Sequence, residues 1–181
     1  LDYEKLTVMD RWILSRLNSV VGEVDHDLEQ YRIPEAARAL QDFVDDLSNW
    51  YVRRSRERFW AKGMEQDKIN AYTTLYTALV TVCKAAAPMI PFMTEEIYLN
   101  LVKSVDETAP ESIHLCDYPA ADKTMIDKRL EEDMQEVLEA VVMGRACRNT
   151  ACIKNRQPVG TMFIKADHTL SGFYQEIIRD E

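Results

Sequence analysis

Apolar residues recur along the chain at helical, not strand, spacing. After Thr7-Val8-Met9-Asp10, a capping-box pattern, come Ile13, Leu17, Val20, Val24 and Leu28, at intervals of four, three, four and four. This predicts an amphipathic helix over 8–29. Pro34 suits the first turn of a second helix, whose stripe of Ala36, Leu40, Phe43, Leu47 and Trp50 runs towards a stop at Gly63. Asp67 can cap a third, with Ala71, Leu75, Ala78 or Leu79, Val82 and Ala86 as its stripe. Pro88 and Pro91 break it before Thr94-Glu95-Glu96 starts a fourth, with acids placed to complement its dipole. Residues 105–123 read as loop. A second capping box, Thr124-Met125-Ile126-Asp127, opens a fifth helix with Ile126, Leu130, Met134, Val137 and Val141 as its stripe, running to about Lys154. Beyond Pro158 and Gly160, Thr161-Met162-Phe163-Ile164-Lys165 reads as a short strand and 169–180 as a helix. The predicted class is all-α: an antiparallel helical bundle over 1–157, with the start of a small α/β appendage over 158–181.

Composition agrees with a packed helical core. The chain has 181 residues, 46% of them hydrophobic and 29% charged, with five glycines and six prolines. That excludes collagen-like, low-complexity and disordered classes, and a chain of this length needs no disulfide or metal to hold it together. The longest apolar stretch, around Leu75 to Pro91, is interrupted by Thr77, Thr81 and Lys84, so no membrane span is expected. The chain does not open with a basic patch, an apolar run and a small-residue cleavage site, so no secretory signal is expected. The start at Leu1 and the end at Arg179-Asp180-Glu181 fit an excerpt from a longer polypeptide. Cys83, Cys116, Cys147 and Cys152 form no CxxC pair and read as ordinary small or surface residues in a reducing compartment.

The net charge of −9 argues against a general binder of nucleic acid, but its distribution is uneven. Residues 50–63 hold Arg53, Arg54, Arg56, Arg58 and Lys62 against the single acid Glu57. Residues 140–165 hold Arg145, Arg148, Lys154, Arg156 and Lys165 against none. Two basic islands therefore sit in an acidic background that repels stray polyanions while leaving room for a chosen one. Continued past Leu47 and Trp50, the second helix's stripe meets Arg54 and Arg58; continued past Val141, the fifth meets Arg148. Arginines at core positions need acids, a neighbouring domain or phosphates to face, and their planar fork binds either anion bidentately. Trp50, Tyr51, Phe59 and Trp60 around the first island read as packing residues.

No chemical centre is visible. A di-iron bundle wants two helical ExxH pairs, and Glu23 with His26 and Glu111 with His114 have that spacing. However, His26 lies on the polar side of its helix and His114 follows Pro110 in the loop, so these and His168 are expected on the surface. GxSxG, Walker, GxGxxG and HExxH signatures are missing.

Several stretches carry a resemblance: Asp10-Arg11-Trp12-Ile13-Leu14-Ser15-Arg16-Leu17-Asn18; Asn49-Trp50-Tyr51-Val52-Arg53-Arg54-Ser55-Arg56 with Arg58-Phe59-Trp60; and Pro88-Met89-Ile90-Pro91-Phe92-Met93-Thr94-Glu95-Glu96. Together they resemble the anticodon-binding helical domain of the class Ia aminoacyl-tRNA synthetases for isoleucine, valine, leucine and methionine. Ser112-Ile113-His114-Leu115-Cys116-Asp117-Tyr118-Pro119, Gly144-Arg145-Ala146-Cys147-Arg148-Asn149 and Ile153-Lys154-Asn155-Arg156-Gln157-Pro158 narrow the resemblance to isoleucyl-tRNA synthetases, with the valyl enzymes next. The alternative of another class is a helical interaction scaffold whose arginines pair with acids.

The resemblance implies a helical bundle that binds the anticodon arm of tRNA(Ile) and belongs to a cytoplasmic, ATP-dependent ligase. ATP and magnesium would then bind in the catalytic domain of the same polypeptide, and no cofactor, metal or catalytic residue is expected in this stretch. On a simple up-down path the first island returns to the chain's start and the second lies at the far end. Arg53, Arg54, Arg56, Arg58, Trp60 and Lys62 are therefore assigned to interdomain docking or a secondary tRNA contact. Arg145, Arg148, Asn149, Lys154, Arg156 and Gln157 are assigned to tRNA, with Asn149 and Gln157 able to read base edges.

Overall fold

In the computed structural model, which describes residues 3–154 (backbone alone at residue 4), 156–165 and 169–181, the chain forms two compact units, Leu1–Ile126 and Asp127–Glu181. Residues 127–157, expected with the bundle, group with 158–181. His168 and Asn155 lie outside the described residues.

The first unit is built round α1 (Val8–Glu29), which packs on α2 (Ile33–Asp45) and α4 (Gln66–Ala86). Its capping box forms as the spacing predicts: the Thr7 side chain accepts from Asp10 N, and Thr7 N donates to Asp10 Oδ2 at 3.0 Å. Trp12, Ile13, Leu14, Leu17, Val20, Val21 and Val24 of α1 are buried, as are Ala36, Leu40 and Phe43 of α2. Asn70 Nδ2 donates to Lys5 O at 3.1 Å, so α4 starts beside the start of α1, while α2 returns antiparallel. The chain leaves α1 through a Schellman turn, in which Arg32 N donates to Asp27 O at 2.8 Å and Tyr31 N to Leu28 O at 3.0 Å. Residue 31 occupies the left-handed position, with φ 57°, where glycine is the usual occupant.

Downstream of Asp45 the second helix widens into a π segment, Asp46–Val52, before a short α3 (Arg56–Trp60). The sequence stripe is corrected here. Tyr51, not Trp50, is buried, because Phe43, Leu47, Tyr51 and Ser55 succeed one another every four residues, a spacing wider than the 3.6 of an α-helix. Trp50 instead lies half exposed, with the Arg53 guanidinium 5.5 Å from its ring centroid.

α5 (Pro91–Tyr98) begins with its proline in the first turn, three residues before Thr94, and continues as a second π segment, Leu99–Lys103. The loop beyond it is pinned rather than loose. Ser112 Oγ and Ile113 N both donate to Glu95 Oε2 at 2.9 Å, Tyr118 Oη donates to Ala85 O at 3.2 Å, and Asp122 N donates to Asn18 Oδ1 at 2.8 Å.

In the second unit, α6 (Lys128–Thr150) is capped by Asp127, whose side chain accepts from Leu130 N. The Thr124 box does not form: Thr124 sits in a 3-10 turn with its own N–H bonded to Asp122. Asp122 and Asp127 each cap the segment immediately C-terminal to them, which removes Thr124 from that role. Met134, Val137, Ala140 and Val141 of α6 and Tyr174 and Ile177 of α7 (Gly172–Asp180) are buried. The expected strand over 161–165 is also corrected. Those residues are exposed and unladdered, since no second strand forms among the described residues to pair with them. Met162 instead lies against the backbone of Gly144, where an added Cβ would come within 3.0 Å of its Cε.

Candidate nucleic-acid interface

The first island divides into one internal and several surface cations. Arg58 faces inward, and all five N–H donors of its guanidinium are engaged. Nη1 and Nη2 donate to Asp10 Oδ1 and Oδ2 at 2.9 and 2.8 Å; Nε and Nη2 donate to Asp67 Oδ2 and Oδ1 at 2.9 and 2.8 Å; Nη1 also reaches Thr7 Oγ1 at 3.5 Å. Tyr51 Oη completes the cluster with a 2.6 Å bond to Asp10 Oδ1. Asp10 is 0% exposed. Burial alone would raise its carboxyl, but the hydrogen bonds from Arg58, Tyr51 and Thr7 outweigh that and hold it below the ordinary carboxylate value. The Tyr51 phenol is pushed up by burial and by the Asp10 charge. Sequence spacing had marked Arg58 as an inward-facing cation, but Asp10 and Asp67, its partners from α1 and α4, could not be picked out because only the fold brings them together.

The rest of this island lies on or near the surface: Arg53 over Trp50, Arg54 half exposed, and Arg56 and Lys62 exposed. Trp60 is 79% exposed, which corrects its reading as a packing residue. Its neighbour Phe59 keeps its reading as a packing residue, against Tyr72, a partner that sequence reasoning missed. Phe59 packs on Tyr72 with ring centroids 5.2 Å apart, and Lys68 Nζ sits 5.9 Å from the Tyr72 ring while donating to Ala61 O at 2.7 Å.

In the second unit, α6 also ends in a Schellman turn: Ile153 N donates to Arg148 O at 2.9 Å and Cys152 N to Asn149 O at 3.1 Å, with Cys152 at φ 54°. Arg148 then shapes the backbone beyond the turn. Its Nη1 donates to Gln157 O at 2.7 Å and lies 3.5 Å from Lys154 O, while Gln157 N donates to Lys154 O at 2.9 Å. Arg148 thus folds the segment after the helix back on itself instead of pairing with Glu131 or Glu132. Arg145 Nη2 pairs with Glu181 Oε2 at 2.6 Å. Lys154, Arg156, Asn149 and the Gln157 side chain are exposed, and neither Lys154 nor Arg156 has an ion-pair partner among the described residues. The end of α6 and the segment beyond it therefore present two solvent-facing cations and two amides, the donor set that phosphates and base edges take.

His26 and His114 are exposed, and no group of three metal-binding side chains gathers among the described residues. No helix among them is long and apolar enough to cross a membrane.

Relieving the left-handed strain at residue 152 gives a first expected result. A left-handed non-glycine residue costs on the order of 1–2 kcal/mol, so Cys152→Gly should stabilise the second unit by roughly 0.5–1 kcal/mol after glycine's extra chain entropy is deducted. Urea denaturation of both proteins would show this as a higher midpoint; a lower one would mean that the Cys152 side chain contributes packing that outweighs the strain.

The chain is thus an all-α protein whose α6 leads into an acid-free, amide-bearing cationic tip, and comparison with known proteins identifies its family. Residues 10–164 match the family described as the anticodon-binding domain of tRNA ligase, and the chain belongs to that family. Among its relatives, the isoleucine–tRNA ligase of Clostridium tetani is 51% identical over 180 residues and that of Clostridium acetobutylicum 52% over 180, each alignment covering 99% of this chain and 17% of the relative. The isoleucine–tRNA ligase of Dehalococcoides mccartyi strain CBDB1 is 51% identical over 151 residues, covering 83% of this chain and 15% of the relative. The chain thus spans about a sixth of the length of the relatives it matches.

Proposed function

We propose that this chain is the anticodon-arm-binding part of an isoleucine–tRNA ligase and serves ATP-dependent aminoacylation of tRNA(Ile) in the cytoplasm. Its partners in this reading are tRNA(Ile) and the catalytic domain of the same polypeptide, where ATP and magnesium bind; no catalytic step is assigned to this stretch. The observation that carries the reading is the family match over residues 10–164 together with the exposed, acid-free tip of Asn149, Lys154, Arg156 and Gln157. An anticodon loop offers unstacked bases to such a tip, and its phosphates supply the anchoring charge. Arg148 and Arg145 support the tip, the first by shaping its backbone and the second through its pair with Glu181. Arg53, Arg54, Arg56, Trp60 and Lys62 are proposed to dock the rest of the polypeptide. Arg58 serves that surface indirectly, by fixing α3 to α1 and α4.

Filter-binding titrations with tRNA(Ile), tRNA(Val) and an unrelated tRNA, each at two salt concentrations, test the reading. The chain should prefer tRNA(Ile), and binding should weaken with salt. If Asn149 reads a base edge, Asn149→Ala should narrow the gap between tRNA(Ile) and the others by roughly 5- to 100-fold, the worth of a good base contact. Equal affinity for all three tRNAs in the unaltered chain would remove the anticodon reading.

A further inference from the structure

We propose that Tyr31 is a base-stacking residue, its ring taking the face of an unpaired nucleotide in the RNA that this domain binds. This rests on the tRNA reading above and adds to it a contact in the first unit. The observation is a cost without a structural return. The Schellman turn at the end of α1 forces residue 31 into the left-handed region, with φ 57°, where glycine fits without strain and an aromatic residue does not. Burial normally compensates such a cost, yet Tyr31 is 89% exposed, and its ring and hydroxyl have no partner among the described residues. Trp60 and Phe92, the other most exposed aromatic residues of this unit, keep ordinary negative φ and carry no such strain. A strained residue that contributes no packing points to a contact outside the chain.

The turn fixes the backbone that carries the ring. Arg32, the next residue, donates its backbone N–H to Asp27 O at 2.8 Å and pairs through Nη2 with Asp27 Oδ1 at 2.6 Å, and Asp27 is buried. The ring is thus carried on a fixed backbone, which lowers the entropy lost on binding. The charge around it selects what it meets. Asp25, Glu29 and Glu35 are exposed, whereas Arg32 is tied to Asp27, so phosphate is disfavoured at this turn. Stacking on a base needs no cation, and an unpaired base offers a π-face whatever its identity.

The test uses the 181-residue chain and measures its binding to a tRNA(Ile) transcript at several salt concentrations, together with its melting temperature. Tyr31→Gly should weaken binding by roughly 5- to 100-fold, as expected for loss of one stacked base. The slope of log K against log salt should not change, because no phosphate contact is lost. The same variant should melt higher by about 2–4 °C, since the strain is relieved. Tyr31→Asn, which tolerates the left-handed region but has no ring, should bind as weakly as Tyr31→Gly, and Tyr31→Trp should bind as tightly as the unaltered chain. Unchanged affinity in Tyr31→Gly, or a loss accompanied by a shallower salt slope, would overturn the proposal, and a protein partner at this turn would give the first of these results. If the unaltered chain does not bind tRNA(Ile), the tRNA reading itself fails; if it binds, and Lys154→Glu weakens it while Tyr31→Gly does not, only the assignment of Tyr31 fails.

Discussion

Asp10→Ala is expected to destabilise the first unit by about 3–5 kcal/mol, the cost of removing one partner from a buried ion pair. The change removes several bonds at once: Arg58 loses both bonds to the carboxylate and keeps its pair with Asp67, Tyr51 Oη loses its 2.6 Å acceptor and is left with Ala71 O at 3.3 Å, and Thr7 N loses its capping partner. Against a total stability of roughly 5–15 kcal/mol this is a large share. Urea denaturation followed by the fluorescence of Trp12, which is buried two residues away, would measure it. Replacing Asp10 and Arg58 together, by Ala and Met, should cost less than the sum of the single changes, because neither then leaves an uncompensated charge. A loss below 1 kcal/mol for Asp10→Ala alone would show that the cluster orders α3 without holding the unit together.

The same carboxylate sets a pH dependence. Its folded-state pKa is lowered, so its contribution is fully present above the ordinary carboxylate range, about pH 4, and is lost as pH falls through the folded value. Asp46 has the opposite sign, since burial raises its carboxyl despite Arg16 Nε at 3.2 Å. The acid limb that distinguishes the unaltered chain from Asp10→Asn should therefore appear only below about pH 4.

Reversing the exposed charges of the tip should have the largest effect on binding. Lys154→Glu with Arg156→Glu removes two cations and adds two anions where no acid stands between residues 140 and 165. In filter binding at low salt, affinity for tRNA(Ile) should fall by on the order of 100-fold, about 2.7 kcal/mol, and the salt slope should drop by up to about two units. Both residues are exposed and outside any ion pair among the described residues, so the melting temperature should barely move. Arg148→Ala provides the contrast. It removes the bond to Gln157 O that shapes the tip, so it should lower stability and affinity together while leaving the slope nearly unchanged.

The fold was legible wherever local signals were unambiguous. The bounds of α1 follow from Thr7, Asp10 and a regular apolar stripe, and its structure matches 8–29. The misreadings have specific physical origins. Thr124 and Asp127 have capping-box spacing, but Asp122 lies upstream and takes Thr124 into a turn of its own. Residues 161–165 have strand composition, yet a strand requires a partner that the described chain does not supply. Of the candidate site, the position of the second island was readable because charge is a property of sequence. Which cations are free to act was not, because Arg58 meets acids 48 and 9 residues away in sequence and Arg145 meets one 36 away. Tyr31 left no sequence signal, since neither period nor charge marks a residue whose backbone conformation is the anomaly.

The π segment between Asp46 and Val52 sets the phase of everything after it. Side chains turn by about 100° per residue in an α-helix but by about 90° where they repeat every four, so winding these same seven residues as α-helix would swing Arg58 roughly 70° away from Asp10, whereas dropping one residue along with that rewinding would nearly restore it. Rewinding this segment without changing its length therefore acts like a frameshift of faces: the residues keep their identities, but the ones that point inward are exchanged. The widened stretch keeps that phase, and the inward arginine depends on it.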